Sequence, residues 1–266
     1  MPRIRVQPYG ASNSARDVAR ALTAMGSHGR VLRLLNEDRS RFRARSSDLI
    51  INWGSSSNRF PNATYLNKPT SVALAANKLR TFQTLERADV KVPDWTTSSE
   101  TAKQWIRDGS VVYARTVLSG NSGNGIVIMD NLDAFTSAPL YTKQFICNQE
   151  YRIHVSTHGI FDIQQKLRRR LTDEEREQGI RRDNLVRNHS NGWVFCRDGV
   201  EAPQVVKDEC TKAMTALGLD FCGVDVGYDS DTNGVAIYEV NTACGLEGTT
   251  LTNYVNMLSG LITSRR

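Results

Sequence analysis

Three oxygen-bearing side chains near the C-terminus are spaced for chemistry: Asp225 in the run FCGVDVGYD, and Glu239 and Asn241 in VAIYEVNTACGL. Side chains alternate faces along a strand, so Glu239 and Asn241 share one face while Val240 points into a core. The intervening DSDTNG is rich in turn formers and folds Asp225 back beside them. Two carboxylates and an amide oxygen make an anionic, oxygen-only cage, which suits Mg²⁺ carrying a nucleotide triphosphate better than zinc. A solvated edge strand would show the same Glu-Val-Asn spacing. What the chain sets opposite this hairpin therefore decides the matter.

A second hairpin, EYRIHVSTHGIFDIQQKLRR, supplies the opposite sign. Glu150, Arg152 and His154 share one face, and Tyr151, Ile153 and Val155 take the other. On the return strand Asp162, Gln164, Lys166 and Arg168 alternate with Phe161, Ile163, Gln165 and Leu167. One face packs; the other is dense in charge and faces the acidic hairpin. Arginines and lysines opposite a carboxylate cluster suit neutralisation of a triphosphate and its metal. A solvated sheet face is the alternative. His154 and His189 read as structural or surface histidines before acid/base groups.

Upstream, Ser119, Gly120, Ser122, Gly123 and Gly125 belong to one loop, SGNSGNG, between two strands. Its glycines let backbone N–H groups approach and cradle phosphate oxygens. It is not a Walker A loop, since no Gly-Lys-Ser/Thr follows, and a plain flexible hairpin is the other account. Arg115 ends the preceding strand, where a permanently charged guanidinium could hold phosphates. Lys78 is a second cation or a solvated lysine. Lys143, Gln144, Phe145 and Ile146 offer backbone groups and apolar walls for a purine, with Glu150 accepting from ribose hydroxyls; a buried connecting strand fits these four equally.

The elements that must position these residues begin with β-α-β-β. RIRVQPYG alternates like a strand, Ser12 or Ser14 caps a helix ending near Met25, and RVLRLL and DLIINWG read as buried parallel strands. This is a Rossmann-like pattern without a dinucleotide fingerprint, because YGASNSA holds a single glycine. The polar stretch GSSSNRFPNATYLNKP marks a boundary. Ala73 to Ala88 reads as one helix, followed by the strands SVVYART, IVIM and LYTKQFI. After the charged hairpin, the polar stretch from Leu171 to Asn191 reads as a helix or mobile loop. An amphipathic helix spans Glu201 to Leu217, and another begins near Thr249.

The 266 residues suffice for two or three subdomains, and 39% apolar with 23% charged residues is ordinary for a globular protein. No apolar run reaches membrane-span length, and the N-terminus has no signal-peptide core. Five cysteines without CxxC spacing read as reduced thiols, placing the chain in the cytoplasm. The net charge of +6 favours anionic partners such as nucleotides, acidic peptides or nucleic acid. The run Lys166-Leu-Arg-Arg-Arg170 invites nucleic-acid association, but acids interleave from Asp173 to Glu177 and no stacking aromatics accompany it.

The order ANKLRTFQTLERADVKVPDW, VVYARTVLSGNSGNGIVIM, YTKQFICNQEYRIHV and DFCGVDVGYD…VAIYEVNTACGL, over about residues 75 to 250, resembles the ATP-grasp superfamily. Its carboxylate–amine ligases are closest in pattern, among them D-alanine–D-alanine ligase and ribosomal-protein glutamate ligases, together with short ATP-grasp proteins of tailed phages. The resemblance implies an α/β and α+β architecture in which two α+β subdomains clamp ATP behind a small Rossmann-like N-terminal domain. The corresponding division is 1–72, 73–147 with the glycine-rich lid, and 148–266 with the metal-binding hairpin. It places Lys78 and Arg115 on the ATP phosphates, Ser119 to Gly125 as the lid, Lys143 to Ile146 at adenine and Glu150 at ribose. Arg152 lies beside the reacting phosphoryl group, Lys166 and Asn188 face the triphosphate, and Asp225, Glu239 and Asn241 hold Mg²⁺, with Mn²⁺ as an alternative. The implied reaction forms an amide between a small-molecule or peptide carboxylate and an amine through an acyl phosphate, releasing ADP and phosphate. Phosphotransfer or action on a nucleic-acid substrate are the alternatives. A phage origin would put the protein in the host cytoplasm. The chain departs from the pattern in two places: arginine replaces lysine at position 115, and Cys244 rather than proline precedes Gly245.

Overall fold

A computed structural model describes residues 2–35, 41–119, 125–170, 172–177 and 192–265. The first unit is the four-stranded, all-parallel sheet β2-β1-β3-β4, built from β1 (Ile4–Pro8), β2 (Val31–Arg33), β3 (Leu49–Trp53) and β4 (Thr64–Leu66). Every residue of the central strand β3 is buried, as expected for a parallel strand covered on both faces. Helix α1 (Asn13–Ala24) starts where the Ser12 hydroxyl accepts from Ala15 N at 3.1 Å, and it buries Ala15, Val18, Ala19 and Leu22. The polar stretch GSSSNRFPNATYLNKP contains β4, a three-residue strand that completes the sheet at its edge and that the sequence pattern does not predict.

The single helix expected over 73–88 is two: α2 (Pro69–Ala76) and α3 (Lys78–Arg87). Asn77 between them is extended, and its side chain accepts from Arg80 N at 3.1 Å, capping the second helix. Lys78 thereby becomes the first residue of α3.

The second sheet is antiparallel, ordered β5-β8-β6-β7 from β5 (Trp95–Thr96), β6 (Val112–Arg115), β7 (Ile126–Met129) and β8 (Leu140–Lys143). Helix α4 (Ser99–Arg107), which the sequence reading did not assign, covers it from a Ser98 cap and buries Ala102 and Ile106.

The third sheet, β11-β10-β9-β12-β13, consists of β9 (Gln149–Ser156), β10 (Gly159–Arg168), β11 (Trp193–Cys196), β12 (Phe221–Asp229) and β13 (Gly234–Asn241). Between β10 and β11 the described residues include the short helix α5 (Asp173–Glu177), tied by Arg169–Glu175 and Arg176–Asp173 ion pairs. Helix α6 (Gln204–Ala216) packs Val206, Cys210, Ala213 and Met214 onto Tyr151, Ile153, Val155, Val224 and Val240. This fixes which sheet face is core and leaves the charged face for the site. One register detail differs from simple alternation. A bulge between Ile160 and Asp162 makes Phe161 an extra residue, so Phe161 packs on Tyr254 of α7 (Gly248–Ser264) and not with Ile163.

Helix α7 joins α1 and the first sheet in one apolar cluster with Ile4, Val6, Leu22, Trp53, Tyr254 and Leu258. The last helix of the chain therefore ties the first sheet to the third. None of the five cysteines is in a disulfide. Among the described residues no helix is long and apolar enough to cross a membrane.

Candidate functional site: a charged sheet face

Asp225 lies at the middle of β12, in register with Arg152 on β9 and Glu239 on β13. A second bulge produces this register. It loops out Tyr238, so Val226 pairs with Ile237 while Asp225 stays opposite Glu239. The opposite-signed hairpins thus meet as the alternation predicted.

Arg152 donates to Asp225 through Nε and a terminal nitrogen at 2.7 and 2.8 Å, the parallel fork geometry of a strong arginine–carboxylate pair. Asn241 donates its amide nitrogen to Asp225 Oδ2 at 3.1 Å, which leaves its amide oxygen outside that bond. Lys78, at the head of α3, donates to Glu239 Oε1 at 2.8 Å. Lys166 on β10 pairs with Glu150 on β9. Phe195 of β11 lies under both cations, 4.5 Å from the Arg152 guanidinium and 5.4 Å from the Lys166 ammonium, measured to the ring centre.

Burial alone would raise the Asp225 carboxyl, but the Arg152 charge and hydrogen bonds outweigh it and hold its pKa below the usual range. Arg152 is correspondingly raised: desolvation opposes its charge, and Asp225 more than restores it. Arg115 is the contrast. Burial lowers its pKa, the Glu239 charge opposes that only in part, and its Nε is buried with no hydrogen-bond partner. Its guanidinium stands 6.0 Å from the Phe82 ring centre. A buried cationic donor without an acceptor is costly, and an anionic oxygen at that position would satisfy it.

Behind this row runs a buried polar chain. His154 contacts Tyr254 Oη through Nδ1 at 2.9 Å and the Gln164 amide through Nε2 at 3.1 Å. Gln164 also donates to Asp162 at 2.9 Å, and Arg197 forks onto Asp162. Burial pushes the His154 pKa down to about 4, so the ring is neutral at pH 7 and structural, as read from the sequence.

Other expected residues lie outside this row. Lys143 Nζ is 4.0 Å from Asp94, the Gln144 N–H donates to Val111 O at 2.8 Å, and Phe145 approaches Gly234. Ile146 is 80% exposed. Ser119 is exposed, and Gly125, at φ +76°, accepts through its carbonyl from Thr116. Gly120, Ser122, Gly123 and Asn188 fall outside the described residues. Glu150, expected at ribose, is buried against Lys166. Sequence reasoning missed Phe195, Arg197 and Tyr238. The signal for the first two was the alternation in WVFCR, which sets them on one face.

The donor set is oxygen-only: Asp225, Glu239 and the Asn241 amide, with no convergence of three His, Cys, Asp or Glu among the described residues. These donors fit a hard divalent cation, and the partnerless Arg115 nitrogen fits a phosphate oxygen.

The chain has the ATP-grasp fold. Its structure superposes on that of the ATP-grasp ligase PsnB complexed with a minimal precursor, with TM-score 0.67, 13% identity and 98% of each chain covered. It matches D-alanine–D-alanine ligase from Bacillus anthracis with TM-score 0.66 and 15% identity, over 98% of this chain and 93% of that one. In sequence it is 27% identical over 193 residues to a probable alpha-L-glutamate ligase of Teredinibacter turnerae, covering 69% of this chain. The chain spans 60% of the length of that relative. No protein-family model matches it.

Proposed function

We propose that the chain is an ATP-dependent carboxylate–amine ligase acting on a small-molecule or peptide substrate. One observation carries this reading: Asp225 and Glu239 stand side by side, flanked by Arg152, Lys78 and Arg115, whose buried Nε has no hydrogen-bond partner. The relatives named above point the same way. One is called a glutamate ligase, and PsnB is described with a precursor peptide.

In this reading Asp225, Glu239 and the Asn241 oxygen hold Mg²⁺ or Mn²⁺, which neutralises charge in phosphoryl transfer when bound. Lys78 and Arg115 take the phosphates, Lys166 and Asn188 add contacts to the triphosphate, and Ser119 to Gly125 cover it. Lys143 to Ile146 receive adenine and Glu150 the ribose. The substrate carboxylate takes the γ-phosphoryl group, giving an acyl phosphate and ADP. The amine then attacks the acyl carbon, expels phosphate and loses a proton. Arg152, locked by Asp225 and Phe195, presents a fixed positive charge where negative charge is redistributed, at no reorganisation cost. The 1–72 unit selects substrates at the ends of β1 and β3, where Tyr9 and Ala243 both lie close to Gly54.

The test is a screen of pooled amino acids, organic acids and peptides for substrate-dependent ADP release, with mass spectrometry of the products. The account expects equal ADP and phosphate and a product joined with loss of one water. A stable phosphoester without free phosphate would replace the ligase by a phosphotransferase.

A further inference from the structure

Charge is divided unevenly along the chain. Residues 1–72 carry twelve Lys and Arg against four Asp and Glu, a formal +8, so the remainder sits at −2. Part of that excess rims a groove of about 430 Å³ between α1 and the edge strand β2. Arg16 and Arg20, one helical turn apart, line one wall, and Arg30 and Arg33 the other. The floor is aliphatic: Ala19 and Ala24 come from the helix, and Leu32, 37% exposed, from the strand. Asp17 is the one described carboxylate paired here, 3.0 Å from Arg16 and 4.0 Å from Arg20. No carboxylate of the described residues lies against Arg30 or Arg33. Arg30 and Arg3 also add positive charge at Arg5, whose pKa is lowered first by burial and then by these neighbours.

We propose that this groove binds an acidic peptide segment carrying apolar side chains. Four guanidiniums around an aliphatic floor match alternating carboxylates and apolar groups, the guanidiniums engaging the former in forked hydrogen bonds. The absence of any aromatic side chain from the lining argues for a peptide over single-stranded nucleic acid, whose bases need a stacking surface. The groove belongs to the first sheet, so the proposal holds whether or not the ligase reading does.

The experiment is fluorescence anisotropy of the full chain with a fluorescein-labelled ten-residue peptide alternating glutamate and leucine. Its controls are a lysine–leucine peptide and a ten-nucleotide oligo-dT of equal label. The expected result is saturable binding of the acidic peptide alone, weakening with added salt. Arg30→Glu/Arg33→Glu should lose at least tenfold in affinity at unchanged melting temperature. The milder Arg30→Ser/Arg33→Ser should lose part of it, and Arg87→Glu, on the exposed end of α3, none. Absent binding, or equal binding by the Arg30/Arg33 variants, would overturn the proposal. So would tighter binding of the oligonucleotide, or a wild-type dimer in sedimentation that Arg30→Glu/Arg33→Glu dissolves, since a second copy would then fill the groove.

Discussion

Arg152 and Asp225 face each other across neighbouring strands and share two parallel hydrogen bonds of 2.7 and 2.8 Å, both residues largely withdrawn from solvent. The pair gives Arg152 a structural role beside the functional one proposed for it. Arg152→Ala would leave a buried carboxylate without its cation, a loss of about 3 kcal/mol or more. Chemical denaturation should show this destabilisation, together with loss of ADP release. Unchanged stability would mean that Asp225 finds another partner.

Glu239 separates function from folding more cleanly. Its side chain is 34% exposed and its partner Lys78 is a flexible amine, so Glu239→Gln should shift stability by less than about 1 kcal/mol. In the proposed function the same change removes an anionic metal ligand. Substrate-dependent ADP release should fall at least a hundredfold, with partial recovery at high Mg²⁺ or Mn²⁺. Full turnover in this variant would remove Glu239 from the metal set.

His154 sets a pH dependence of stability. Its folded pKa is about 4, below the ordinary value of 6.5, because burial disfavours the charged ring. The unfolded chain therefore takes up a proton first as pH falls, and stability declines from about pH 6.5 to 4, by up to about 3 kcal/mol. Asp225, whose folded pKa is depressed, adds stability above the usual carboxylate range that is lost below it. Melting temperature against pH should show the first decline in wild type and a flatter profile in His154→Gln. Identical profiles would contradict the assignment.

Gly54 marks the junction between the first sheet and the segment that follows the β12–β13 hairpin. Its φ is +79°, and an added Cβ would lie 2.7 Å from the Ala243 Cβ. Gly54→Ala should destabilise by about 1–3 kcal/mol and raise KM for the carboxylate or amine more than for ATP, since the junction borders the proposed substrate end. A uniform change in both KM values would place the substrate elsewhere.

Strand periodicity is strict, so Glu150, Arg152 and Lys166 on one hairpin and Asp225, Glu239 and Asn241 on the other were readable as one charged face. The bulges at Phe161 and Tyr238 were not, because the alternating pattern continues through the inserted residue. Helical periodicity hid the break at Asn77 for the same reason, although asparagine before a polar first turn is a cap signal. The three residues of β4 are too few to show a period within a polar stretch. Phe195 could be placed only once β11 was known to pair with β10, a contact between segments the sequence does not link. The unpartnered Nε of Arg115 depends on packing from α3 and β13, which no local pattern reports.

The account rests on a triphosphate and a divalent cation being held together between Arg115, Lys78 and the two carboxylates. Calorimetric titration of ATP into the wild-type chain and into Arg115→Met, each with Mg²⁺ and with excess chelator, tests this directly. It should show one-to-one binding in wild type that requires the cation, and at least tenfold weaker binding in Arg115→Met at equal or higher melting temperature. Equal affinity in the two proteins, or no binding of ATP by wild type with Mg²⁺ present, would contradict it.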